Sequence, residues 1–109
     1  MDAIVVFVTT SSEEEAAALA KLLVEQHLVA CVNVLPKVKS FFQWEGNISE
    51  VEECMMILKT SMPLFNAVKK TILAQHSYDV PEIIALPIVQ GSESYLSWIH
   101  DVTNKSKIS

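Results

Sequence analysis

Arginine is absent from this chain, and its eight lysines face thirteen acids, for a net charge of −5. Nucleic-acid binding needs a basic footprint, and base reading and phosphate clamping favour a guanidinium fork. Nucleic acid is therefore excluded as a partner, and a cation is the more natural charged one. Glycine is scarce too. Gly46 and Gly91 are the only two, and both read as punctuation between elements. Long hydrophobic runs are missing: the run Ala3 to Val8 falls far short of the roughly 20 residues of a spanning helix. Asp2 precedes it and Glu13, Glu14 and Glu15 follow, where a secretory signal would carry a basic cluster. The expected compartment is the cytoplasm, without membrane contact. Cys31 and Cys54 are the only cysteines. No CxxC spacing joins them, and in that compartment they are expected as reduced thiols.

Hydrophobic side chains, by contrast, are plentiful. They make up 50% of the 109 residues, against 19% charged, and the mean hydropathy is +0.32. That composition excludes a disordered chain, and the length gives a single domain over 1–109. A monomer of this mass buries only about two thirds of its unfolded surface. The excess apolar surface is expected to lie against another chain.

Residues 3–9 are β-branched and too short for a helix, so they predict a strand. Ser12 and Glu15 form a capping box for a helix through about Gln26. Val29 to Leu35 is a second strand, stopped or bent at Pro36 and continued over Val38 to Trp44. Glu45-Gly46-Asn47 is a hairpin turn, and Ser49 to Thr60 the returning strand. Ser61 is placed to cap a second helix with Pro63 in its first turn. Glu82 to Val89 is a fourth strand, interrupted or at an edge because of Pro87. Gly91-Ser92 opens a last helix bearing Tyr95, Leu96, Trp98 and Ile99, with a frayed tail from about residue 103. This order, β-α-β-β-α-β plus a helix, predicts an α+β, ferredoxin-like split βαβ sandwich. Strands one and four are apolar at both parities, whereas a sheet covered on one side alternates. The second face is thus an expected oligomer interface, reached by the long hairpin 29–60.

Side-chain chemistry is sparse. No activated Ser or Cys stands beside a base, so an enzyme is not expected. Cys31 reads as a small buried hydrophobe, and Cys54 with Met55 and Met56 as core. Glu50 and Glu52 share a strand face and read as an exposed acidic patch. His76-Ser77-Tyr78-Asp79-Val80-Pro81-Glu82 packs an imidazole, a phenol and two carboxylates into seven residues. There His76 is either a metal ligand or a cap on the preceding helix. His27 reads as the same capping device at the end of helix one.

Several segments, in order and spacing, resemble the CutA family of divalent-ion tolerance proteins. They are Leu28–Pro36, Trp44-Glu45-Gly46, Ile57-Leu58-Lys59-Thr60, His76–Ile88 and Tyr95–Ile99. The resemblance implies a cytoplasmic, ferredoxin-like homotrimer with inter-subunit strand pairing, similar to the PII signalling proteins. It also implies tolerance of copper and other divalent metals, and no organic cofactor. Copper-binding members carry a Cys and two adjacent His where this chain has Val8, Gln75 and His76. Only His76 carries over as a metal ligand, with Tyr78, Glu82 or a neighbour's carboxylate to complete the site. A cleft or structural motif is implied at Cys31, Asn33, Trp44, Glu45, Gly46, Lys59, Tyr78, Pro81 and Trp98. Two functions follow: a trimer that binds Cu(II) or another divalent ion, or a PII-like module whose inter-subunit clefts take a small anion or a partner protein.

Overall fold

In the computed structural model, which describes residues 2–105, the β-branched run at the start forms β1, Ala3–Thr10. Ser12 ends it and starts α1, Glu13–Glu25. Its backbone is extended and its hydroxyl accepts the Glu15 N–H at 3.1 Å, as the capping box requires. The reciprocal bond is displaced by one residue: the Glu15 carboxylate accepts the N–H of Ser11. At the other end, the N–H groups of His27 and Leu28 bond the carbonyls of Val24 and Leu23, each at 3.0 Å. His27 is left-handed, φ 58, and Leu28 and Leu23 are both buried. This is a Schellman turn. It corrects the expectation for His27. The residue caps through its backbone, because the left-handed bend aims its N–H at the helix, and its Nδ1 finds no partner.

β2 (Cys31–Trp44) and β3 (Asn47–Ser61) form a hairpin through Glu45 and Gly46. Both turn residues have positive φ, 50° and 80°, the type I′ twist that suits a two-residue loop. Pro36 bends the strand without stopping it. A bulge between Leu35 and Val38 absorbs the extra residue, with Lys37 at φ 59. Ser61 does not cap the next helix; its hydroxyl lies 2.9 Å from that of Thr103. A 3-10 turn, Met62–Leu64, with Pro63 inside it leads into α2, Phe65–Gln75. β4 covers Ile83–Pro87, shorter than expected at both ends. Past Pro87, one more bond runs to β1, from the Ile88 N–H to the Ala3 carbonyl at 3.0 Å. α3 spans Glu93–Thr103. Thr103, expected as the start of a frayed tail, is helical and buried, its hydroxyl donating to the Ile99 carbonyl at 2.8 Å. The remainder of that tail, 106–109, lies outside the described residues.

The four strands are all antiparallel, in the order β2-β3-β1-β4. This is the expected split βαβ arrangement, with Pro87 on an edge strand. Ile4, Val6 and Val8 pair with Thr60, Leu58 and Met56, and all six side chains are buried beneath α1 and α2. Leu19, Leu23, Val68 and Ile72 close that layer. The opposite parity carries Val5, Phe7, Met55, Ile57, Ile84 and Leu86. α3 covers only one end of this face, where Ile99 packs on Ala3 and Ala30. Ile84 and Leu86 are each 52% exposed.

β1 reaches only as far as Cys54 along β3. Beyond it, residues 38–53 run on as a two-stranded arm without a third strand, held at its base where Glu53 meets Tyr78. A strand of 14 residues at about 3.3 Å each matches the 44 Å long axis of the molecule. The radius of gyration, 14.4 Å, exceeds the roughly 13 Å of a compact domain of about this length because of that arm. Such a ribbon is marginal in water alone, and this one is apolar on both faces. Phe41 and Ile48 lie on one face, and Phe42, Trp44 and Val51 on the other, all exposed.

Candidate functional site

The segment 76–82 folds against the end of β1. The His76 side chain is fully buried. Its Nε2 lies 2.8 Å from the Thr9 carbonyl and its Nδ1 3.0 Å from the Tyr78 N–H. A carbonyl only accepts and an N–H only donates, so Nε2 carries the proton and Nδ1 the lone pair. Both nitrogens are thus committed to backbone. The backbone N–H of His76 also closes α2 on the Ile72 carbonyl at 2.8 Å. Tyr78 donates its hydroxyl to buried Glu53 at 2.8 Å. Burial pushes that hydroxyl up to about 12, assisted by the bond to Glu53 and the charges of Glu53 and Glu15.

Glu15 fastens the same segment from α1. Its carboxylate accepts the N–H and hydroxyl of Ser77 at 2.7 and 3.0 Å, and the N–H and hydroxyl of Ser11 at 3.1 and 3.0 Å. Partial burial raises its pKa, but the donors from Ser77 and Ser11 outweigh that and hold it below the usual glutamate value. A depressed carboxylate stabilises the fold above its unfolded pKa, and that contribution is lost as pH falls through the folded pKa. Glu15→Gln is therefore expected to be less stable than wild type at about pH 6, the gap closing towards about pH 3. Urea midpoints of both proteins across that range check this, and parallel curves would contradict it.

A second group of polar side chains interrupts the open, apolar face of the sheet. Lys59 lies opposite Cys31 on one side and Val5 on the other. Its ammonium donates to the Asn33 side-chain carbonyl. The Cys31 sulfur is 3.5 Å from the Tyr95 hydroxyl of α3. The bond to Cys31, with burial second, holds that phenol above its ordinary range. Trp98 packs on Tyr95 with ring centroids 5.5 Å apart. Cys31 is thus half-buried at a polar contact, not the buried hydrophobe its composition suggested. Cys54 is core as expected, and burial first, then the Glu13 charge, pushes its thiol up.

The residues singled out in the sequence fall in three places within one chain. Cys31, Asn33, Lys59 and Trp98 gather beside α3. His76 and Tyr78 lie at the far end of β1, followed in the same loop by half-buried Pro81 and exposed Glu82. Trp44, Glu45 and Gly46 form the tip of the arm, at the opposite end of β2 from Cys31. Sequence reading missed Glu15 as an anchor, Glu53 as the Tyr78 partner and Tyr95 as the Cys31 partner. A metal centre does not fit these residues as one chain arranges them. Imidazole coordination needs a lone pair, and that of His76 is occupied. Among the described residues, no three His, Cys, Asp or Glu side chains lie together. A cleft of about 620 Å³ beside α3, lined by Asp2, Ser61, His100 and Asn104 among others, adds no such set.

Comparison with known proteins places this arrangement. The sequence profile of the CutA1 divalent ion tolerance protein matches residues 4–102. The divalent-cation tolerance protein CutA of Thermus thermophilus is 43% identical over 99 residues, covering 91% of this chain and 96% of its own. The chloroplastic protein CutA of Arabidopsis thaliana is 42% identical over 103 residues, 94% of this chain, which spans only 57% of that relative's length. Among solved structures, the periplasmic divalent cation tolerance protein CutA from Archaeoglobus fulgidus superposes with a TM-score of 0.90 at 42% identity. That match covers 93% of this chain and 98% of the other.

Proposed function

Since this chain belongs to the CutA1 divalent ion tolerance family, we propose that it serves in tolerance of divalent cations, copper among them, as a cytoplasmic homotrimer. The observation that carries this reading is the family match over residues 4–102. Trimer formation is supported by what one copy leaves bare: the open sheet face and an arm with exposed Phe41, Trp44 and Ile48. Stable assembly buries such surface. A binding role rather than catalysis is supported by relatives that are named tolerance proteins. The divalent ion is met between chains, with exposed carboxylates such as Glu82 as ligands. His76 would first have to release the Tyr78 N–H.

Calorimetric titration of Cu²⁺ into the full chain, Glu82→Gln and His76→Ala tests this. Saturable binding that weakens about tenfold in Glu82→Gln and is retained in His76→Ala supports it, a loss on the scale of one charged ligand. Absence of copper binding to the wild type would remove the copper reading.

A second reading, a PII-like module for a small anion, is favoured by one observation. Lys59 stands on an apolar face, and the one lysine–carboxylate pair among the described residues, Lys39–Glu50, does not include it.

A further inference from the structure

Lys59 is half-buried, with Val5 and Cys31 as its cross-strand neighbours and Ile57 two residues away on the same parity. The neutral Asn33 carbonyl is the acceptor it has found. A cation in such surroundings is stabilised when an anion joins it, since low-dielectric walls strengthen the pairing. Two further polar atoms stand close by, the Tyr95 hydroxyl and the Cys31 sulfur. The Tyr95–Trp98 aromatic pair rises from α3 beside them, each ring about two fifths exposed. The group lies where α3 borders the open face, at the margin of the area left for other copies, and offers one positive charge, a hydroxyl donor and a flat apolar wall.

We propose that Lys59, Asn33, Cys31, Tyr95 and Trp98 form a binding site for a small monocarboxylate with an apolar body. The carboxylate pairs with the Lys59 ammonium and accepts the Tyr95 hydroxyl, and the apolar body lies on Trp98. A monoanion matches the single cation. A phosphate would bring a second charge to a site without arginine, and an uncompensated charge on an apolar face is costly. This inference rests on the second reading above, in which the chain takes a small anion, and names its class and its residues.

Calorimetry on the full chain with hexanoate, 1-hexanol and inorganic phosphate tests it. Hexanoate is expected to bind about tenfold or more tightly than 1-hexanol or phosphate, the scale of one charge-assisted hydrogen bond. Lys59→Met is expected to lose that margin, Lys59→Arg to keep most of it, and Tyr95→Phe, at an exposed position that leaves the fold intact, to lose a few-fold. Equal binding of hexanoate and 1-hexanol, or no effect of Lys59→Met and Tyr95→Phe, would overturn the site. So would failure of hexanoate to bind the wild type. Saturable phosphate binding that Lys59→Met abolishes would overturn the monocarboxylate class while leaving the anion-binding reading in place.

Discussion

His76→Ala is expected to lower unfolding stability by about 2–4 kcal/mol while leaving copper binding unchanged. The ring is fully buried and ties the Thr9 carbonyl to the Tyr78 N–H. Its removal strands one acceptor and one donor, each costing about 1–3 kcal/mol where water does not reach, and leaves a cavity. The loss should be local first. Amide exchange across 76–82 is expected to accelerate, because the Tyr78–Glu53 bond depends on the backbone position that His76 fixes. Denaturant unfolding, exchange and copper titration on the same preparation check the three parts. A stable His76→Ala protein that has lost copper would make the imidazole a ligand and overturn the account of it as a clasp.

Phe41→Asp combined with Trp44→Asp is expected to give monomers of 12.1 kDa. These two side chains sit on opposite faces of the arm and are 63% and 62% exposed in one copy. Among the described residues, the exposed Phe41, Phe42, Trp44, Ile48 and Val51 find no cover within one copy. An apolar two-sided ribbon persists only when something encloses it. Placing a carboxylate on each face of a buried contact costs several kcal/mol. The folded domain should survive, since its core lies in Ile4, Val6, Val8, Leu58 and their helical cover, remote from the arm. Sedimentation velocity with circular dichroism separates the outcomes. A folded monomer is the expected result, and an unchanged mass would show that the arm is not what joins the copies.

Much of the fold was legible because periodicity, caps and turns are local. The Ser12–Glu15 cap, the Glu45-Gly46 turn and the two-sided strands each stand in a few consecutive letters. The site was less so, because its contacts depend on register. Counting outward from the turn pairs Cys31 with Thr60. The bulge at Pro36–Lys37 inserts one residue and moves the pairing to Lys59. That slip decides which side chains share a face, and so creates the Cys31–Lys59 neighbourhood. Proline hinted at a bend but not at a one-residue shift. His76 was legible as polar and suggestive. Its two partners are backbone groups 67 and 2 positions away, and a backbone group leaves no mark in a sequence. Glu15 read as a helix-dipole acid because its bonds to Ser77 cross the fold.

Among the described residues, one chain brings no metal-ligand set together, so assembly is expected to create what function requires. Native mass spectrometry of the full chain during Cu²⁺ titration tests this most directly. The expected result is a single species of about three times 12.1 kDa that takes up copper as an intact assembly, while the Phe41→Asp/Trp44→Asp monomer does not. A wild-type monomer of 12.1 kDa binding one copper per chain would contradict it.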